Sequence, residues 1–253
     1  MVKISQKKKV YIVYDDDLLT ENVEDCFSAD YWQQQNRIIG SAQGRGTTWF
    51  VQLDKLQGAL RHYRRGGLFG KIISDHYIFN GWQKTRSVQE LYLLDKLNQA
   101  GVNVPKPIAA RVKKATFSYQ ADLLSEKIPD AKDLVDILLQ RALSQQEYQA
   151  IGLQIKKMHD AQVNHTDLNI HNILLDKQGK VWLIDFDKCY QQSGNNWQAT
   201  NLARLLRSFN KELKKRAIKW DKSDWQKLIE AYTNLPPDAK ISKPEDNHLR
   251  GMK

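Results

Sequence analysis

Asp167, Asn172 and Asp185 are the residues whose types and spacing point most directly to chemistry. They stand in His165-Thr166-Asp167-Leu168-Asn169-Ile170-His171-Asn172 and, further along, in Asp185-Phe186-Asp187. Carboxylate and amide oxygens are the ligands magnesium prefers, and magnesium takes only one or two of them from a protein when phosphates and water supply the rest. Phosphoryl transfer calls for such a set, because its transition state demands placement and charge neutralisation more than covalent help. The competing reading makes Asp167 and Asn172 turn caps and Asp185 the end of a strand.

Stepping outward, the three groups need a hairpin and flanking helices to hold them. Residues 172–175 and 181–184 read as short strands joined by a turn at Asp176-Lys177-Gln178-Gly179. Helical spacing precedes them, with Leu134, Ile137 and Leu138 on one segment and Ile151, Ile155 and Met158 on the next. A further helix follows, running from Gln198 through Leu202, Leu205, Leu206 and Phe209. The first half reads mainly as strands, at 49–53, 58–63 and 117–124, where aromatic or branched residues are bounded by glycine or charge. One helix interrupts them: Val88, Leu91, Leu94 and Leu97 recur at three-residue spacing, Gly101 is a natural stop, and Pro105 and Pro107 forbid continuation. The expectation is an α+β chain in two parts, a strand-rich 1–126 and a helical 127–253 with a polar tail after Leu235-Pro236-Pro237.

With 253 residues, 41% of them hydrophobic, the chain can bury a real core. No stretch approaches the roughly 18 apolar residues that cross a bilayer, and residues 1–10 carry charge without the apolar run of a signal peptide. A cytosolic or membrane-associated protein is therefore expected. Cys26 and Cys189, far apart and without a second pair of metal ligands, read as ordinary thiols in a reducing compartment. The formal charge is +10, which calls for an anionic partner: nucleic acid, a phospholipid surface or a phosphorylated substrate. One basic concentration joins Lys55, Arg61, Arg64, Arg65, Lys71, Lys84 and Arg86 against Asp54 and Asp75. Another joins Arg204, Arg207, Lys211, Lys214, Lys215, Arg216, Lys219, Lys222 and Lys227 against Glu212, Asp221 and Asp224, with Trp220 and Trp225 interleaved. The first could grip phosphates or a carboxylate, and the second could rest on anionic headgroups; solvated helix faces are the plainer reading of both. The remaining aromatics, Trp182 included, are expected in the core.

HTDLNIHN and DFD resemble the protein-kinase catalytic loop H-R-D-x-x-x-x-N and its later D-F-G. By that match Asp167 accepts or orients the proton of the attacking hydroxyl, while Asn172 and Asp185 hold the metal beneath the nucleotide phosphates. Gly44 and Gly46 occupy the place of the glycine loop, although Trp49 stands near the expected third glycine. Arg61, in Ala59-Leu60-Arg61, stands where the V-A-I-K lysine is expected, and Glu90 is its candidate partner. Asp187 replaces the glycine of D-F-G. No A-P-E segment follows, so the chain is too short here for a peptide-presenting activation loop, which favours a non-protein acceptor.

Taken with LRHYRRGG at 60–67, the Thr85-Arg86 pair, HTDLNIHNILLD and WLIDFDK, the likeness extends from about Gly44 to Phe209 and is to the lipopolysaccharide kinase family, especially the branch acting on 3-deoxy-D-manno-octulosonic acid (Kdo). The resemblance implies a protein-kinase-like bilobal fold: an antiparallel sheet with one main helix covering the nucleotide in 1–126, and a helical catalytic lobe in 127–253. It also implies ATP and Mg2+, a Kdo-bearing lipid A precursor phosphorylated at the sugar 4-hydroxyl, and a peripheral position on the cytoplasmic face of a Gram-negative inner membrane. Neither nucleic acid nor an obligate protein partner is expected. The alternatives are a sister kinase acting on core heptose, a silent kinase scaffold, and a basic nucleic-acid-binding module on a kinase-like frame.

Overall fold

A computed structural model describes residues 2–44, 46–64 and 75–234. The first part is an antiparallel sheet built from β1 (Val2–Lys7), β2 (Val10–Asp15), β3 (Ile38–Gln43), β4 (Thr47–Gln52), β5 (Gln57–His62), β6 (Tyr77–Ile78), β7 (Pro107–Lys114) and β8 (Ser118–Glu126). Its order is β1-β2-β7-β8-β5-β4-β3, with β6 also paired to β8. Two helices belong to this part, the short α1 (Ala29–Gln34) and the longer α2 (Arg86–Gln99).

The alternation of side chains along the strands explains why the sheet is covered on both faces. Tyr11, Val13, Ala121 and Leu123 turn towards α2, where Val88, Leu91, Leu94 and Leu97 are buried against them. Ile12, Leu60 and Leu124 turn the other way and pack with Trp32, Val51, Leu53 and Ile108. Each buried leucine on α2 contributes about 1.5–3 kcal/mol of transfer free energy, and that burial fixes the height of α2, and hence of Glu90, against the sheet.

The second part is mostly helical: α3 (Leu134–Gln140), α4 (Gln145–Asp160), α5 (Gln198–Arg216) and α6 (Lys222–Thr233). Ser144 and Glu147 form a reciprocal capping box that starts α4. Short strands β9 (Lys132–Asp133), β11 (Ile173–Leu175) and β12 (Val181–Leu183) make a small sheet in the order β12-β11-β9, and β10 (Val163–Asn164) pairs with β13 (Tyr190–Gln191). Gly152 lets α4 and α6 touch backbone to backbone: a Cβ there would lie 2.2 Å from the Leu228 carbonyl oxygen.

Several expectations change at this level. The sheet begins at Val2, not Trp49, because an exposed edge strand such as β1, with polar residues on both faces, carries little pattern. Helix α2 ends at Gln99, ahead of Gly101 and the prolines as expected, and an unread strand, β7, then starts at Pro107, since proline is tolerated as the first residue of a strand. The helix read to Phe209 extends to Arg216, and α6 follows it, capped by Asp221 and Asp224. Trp182 is half-buried, its Nε1 donating to Asp176 at 2.9 Å while Lys180 lies 4.1 Å over its ring. The polar tail from residue 235 lies outside the described residues.

Candidate active site

The loop between β10 and β11 carries Asp167. Burial lowers the pKa of His165, and its two ring nitrogens show which neutral form is held. Nε2 lies 3.0 Å from the Ile184 carbonyl and donates to it, while Nδ1 accepts the Asp167 N–H at 3.3 Å. One neutral imidazole thus ties the backbone of Asp167 to the strand end just before Asp185. From below, α5 braces the same loop. Asn201 Oδ1 accepts the His165 N–H at 3.2 Å, Asn201 Nδ2 donates to Asn164 at 2.9 Å, and Ser208 Oγ accepts the Ile170 N–H at 3.1 Å.

Asn172 is brought to Asp167 and Asp185 by two bonds. Its Nδ2 donates to the Asp167 carbonyl at 2.9 Å, and its own carbonyl accepts the Ile184 N–H at 3.0 Å. Asp185 has φ +63°, a left-handed backbone that costs a non-glycine residue on the order of 1–3 kcal/mol. That turn aims its carboxylate at Arg61, 3.0 Å from NH1.

Arg61 binds both oxygens of Glu90 at 2.6 Å and the Tyr63 hydroxyl at 3.2 Å, and Tyr63 in turn donates to Glu90. Glu90 is 5% exposed, so α2 delivers a buried carboxylate to a cation on β5. Burial opposes the Arg61 charge, and Glu90, with Tyr63 and Asp185, outweighs it and holds the guanidinium charged. Burial likewise pushes the Glu90 carboxyl upwards, with Arg61 and Tyr63 pulling the other way.

These groups meet around a cavity of about 540 Å³ lined by Gly44, Gly46, Arg61, His62, Arg64, Thr166, Asp167, Asp185, Asp187 and Lys188. Gly46 lies close to the Arg64 side chain: a Cβ there would sit 2.8 Å from Arg64 Cδ, so that flexible side chain would have to shift. Behind it is a second, more apolar cavity of about 390 Å³ between Phe50, Ala59, Ile128, Leu174 and Ile184, with Glu90, Arg61 and Asp185 at its mouth. A flat heteroaromatic ring suits the inner cavity and phosphates suit the outer one. Every candidate named from the sequence thus lines one of the two cavities or, in the case of Asn172, bonds to a residue that does.

Three expectations about charge are corrected here. Arg86 is not free to grip an acceptor: its guanidinium spans Asp187, with Nε 2.9 Å from Oδ1 and a second bond from NH2 to Oδ2. Arg61 is committed as described and Lys55 Nζ donates to the Asp17 carbonyl at 2.6 Å, so the first basic concentration is not one open patch; Arg65 and Lys71 lie outside the described residues, as does Arg45 between the two glycines. Trp220, expected at a surface, is 5% exposed and stacks on Phe209 at 5.2 Å, with Trp225 edge-on to the same ring at 6.4 Å. Both cysteines are free thiols whose pKa burial pushes up to about 12.

The sequence reading missed Tyr63, Asn201, Ser208 and the place of Arg204, whose NH1 is 3.9 Å from the Asp167 carboxylate. It also missed the Arg86–Asp187 pair, although an aspartate replacing glycine two positions after Asp185 is a signal that some cation must answer it.

The model of the lipopolysaccharide kinase (Kdo/WaaP) family matches residues 29–232. A 3-deoxy-D-manno-octulosonic acid kinase of Vibrio cholerae serotype O1 is 60% identical over 220 residues, covering 87% of this chain and 94% of that protein. The protein of the same name from Haemophilus influenzae is 47% identical, covering 90% and 98% respectively. Among solved structures, WaaP in complex with acyl carrier protein is similar with a TM-score of 0.58 at 16% identity, over 87% of this chain and 89% of that one. The similarity to WaaP concerns the protein-kinase-like fold.

Proposed function

The chain belongs to the lipopolysaccharide kinase (Kdo/WaaP) family and is an ATP-dependent kinase that phosphorylates Kdo in lipopolysaccharide core biosynthesis, and from that premise we propose how its cleft performs the transfer. The acceptor is the 4-hydroxyl of the Kdo sugar on a lipid A precursor, Kdo-lipid IVA. The adenine ring occupies the inner apolar cavity and the triphosphate lies outward past Arg61, beneath the Gly44–Gly46 turn. Residues 1–126 serve as the nucleotide-covering lobe and 127–253 as the catalytic lobe.

Asp167, with a side chain 62% exposed to the outer cavity, accepts the hydroxyl proton as the sugar oxygen bonds to the γ-phosphorus and the bond to ADP breaks. Arg61, locked by Glu90, lies against the phosphates as a fixed cation, in the manner of the lysine it replaces. Arg64 and Lys188, which line the cavity, and Arg204, beside Asp167, supply positive charge on the acceptor side, suited to the carboxylate that Kdo carries and heptose lacks. Asn172 and Asp185 fit a magnesium ion by donor chemistry: the Asn172 amide is oriented by its bond to the Asp167 carbonyl, leaving Oδ1 as its oxygen donor, and Asp185 offers a carboxylate. When bound, magnesium neutralises charge on the triphosphate oxygens. The proposed setting is the cytoplasmic face of the inner membrane, where a lipid-borne sugar is accessible to ATP.

The observation that carries this reading is the convergence of Asp167 and Asp185 on one cavity with an arginine pinned by a buried glutamate. The test offers Kdo-terminated and heptose-terminated acceptors in competition, with ATP and Mg2+. Phosphate should go to Kdo; preferential labelling of heptose would assign the chain to the sister activity.

A further inference from the structure

Two apolar side chains stand in water at one end of the sheet. Phe117, in the β7–β8 turn, is 84% exposed, and Ile78, on β6, is 72% exposed. Ile78 pairs with Ser118, and the Phe79 N–H donates to the Phe117 carbonyl at 3.0 Å, so both exposed side chains stand at the same end of the sheet, one on each face. Neither belongs to a core cluster. Lysines frame this end. Lys8 and Lys9 form the β1–β2 turn, Val10 pairs with Lys113, and the Lys114 N–H donates to the Lys9 carbonyl at 2.7 Å, which sets the two turns side by side. Lys114 Nζ lies 4.5 Å over the Phe79 ring. Lys8 has φ +39°, a turn position that hairpins usually give to glycine or asparagine, yet here it carries charge. Glu24 answers Lys7, while Lys8, Lys9 and Lys113 are exposed.

We propose that this end of the sheet docks on an anionic lipid surface, with Phe117 and Ile78 entering the headgroup boundary and the lysines lying against the headgroups. Apolar area supplies one part of such binding and attraction between lysines and anionic lipid supplies the other. The strand registers give the placement its sense. Thr48 pairs with Arg61, His62 with Asp122, Tyr119 with Lys114, and Lys113 with Val10. The Gly44–Gly46 turn, Arg64, Phe117 and Lys8 therefore share one end of the sheet, and Gly44, Gly46 and Arg64 line the cavity that Asp167 also lines. A chain seated this way meets an acceptor carried by the same lipid surface at the mouth of its cavity, a step that rests on the proposed lipid-borne substrate. The α5–α6 face is displaced as the docking surface because its tryptophans are spent on Phe209.

The test is sedimentation of the full chain with phosphatidylglycerol-containing vesicles and with pure phosphatidylcholine vesicles. Binding to the former, weakened by salt, is expected. F117S/I78S and, separately, K8E/K9E should each lower the bound fraction constant by about tenfold or more. Both variants should keep the wild-type melting temperature and turnover on a water-soluble Kdo acceptor without acyl chains, while turnover on vesicle-borne acceptor falls with binding. Equal vesicle binding by wild type and both variants, no binding by wild type, or loss of binding in K214E/K215E alone would overturn the assignment. Vesicle binding that follows the expected order in a chain that phosphorylates neither acceptor would sustain the docking surface and sink the proposed reaction.

Discussion

Arg61 is the residue on which the cleft turns, because it joins β5 to Glu90 on α2 and to Asp185 in the catalytic part. Replacing it with glutamine leaves the Glu90 carboxylate buried without its countercharge, a loss of about 3–5 kcal/mol by the usual cost of breaking a buried pair. R61Q should therefore unfold at lower denaturant as well as lose turnover, whereas R61K should recover most stability and less activity, since lysine cannot span both oxygens of Glu90 and Asp185 together. Chemical denaturation and steady-state rates on the two variants check this; an R61Q chain as stable as wild type would contradict the role given to Glu90. Histidine titration supplies a second prediction. Burial holds His159 neutral, lowering its pKa from the ordinary 6.5 to about 4. A depressed histidine gives stability that is fully present above 6.5 and drains away as pH falls through 4, about 3 kcal/mol in all by linkage. His62 runs the other way: its bond to Asp122, with Asp75 adding to it against the cost of burial, raises its pKa, so its contribution is complete below 6.5 and fades as pH rises past that value. Urea midpoints between pH 4 and 8 for wild type and H159Q should show the acid slope flattened in the variant. At this scale the sequence is informative, since spacing and likeness single out Asp167, Asn172, Asp185, Arg61 and Glu90, which line or adjoin the two cavities. Arg86 was misread because Asp187 signals only that some cation must answer it, and local pattern does not say that the cation lies 101 positions away.

Among elements, α4 and α6 pack backbone to backbone at Gly152, and α5 braces the loop that carries Asp167. G152A forces a Cβ to within 2.2 Å of the Leu228 carbonyl, which the backbone of α6 can relieve only by moving. Such overpacking costs typically about 1–3 kcal/mol. Because α6 also carries Tyr232, whose hydroxyl lies 2.9 Å from His159 Nδ1, the shift should reach the Asn201 brace of the loop. The expected result is a lowered melting temperature with a reduced kcat and little change in KM for ATP; unaltered stability would show that the helices are less closely fitted than their backbones indicate. Helices with a clean apolar stripe were legible, α2 and α4 among them. Strands β1 and β7 and helix α6 were not, for different reasons: an exposed edge strand has no burial to announce it, a proline at a strand start reads as a break, and a short helix rich in charge hides its face.

For the whole molecule, the protein-kinase-like arrangement follows from sheet register and helix burial, and the likeness in motif anticipated it correctly. Surface assignment was the weaker part of the sequence reading, because charge counted along the chain does not say which cations are already spent on carboxylates or which tryptophans face inwards. Among the described residues no helix is long and apolar enough to cross a membrane. The central claim is that Asp167, held by His165 and Asn201 at the mouth of a cavity shared with Asp185, takes the proton from the acceptor hydroxyl. The direct measurement is single-turnover product analysis by phosphorus and proton NMR for the wild type and D167N on a defined Kdo acceptor, alongside nucleotide affinity. Wild type should yield one phosphate at the sugar 4-position, and D167N should bind ATP as tightly while transferring about 10²–10⁴-fold more slowly; transfer by D167N at the wild-type rate would contradict the account.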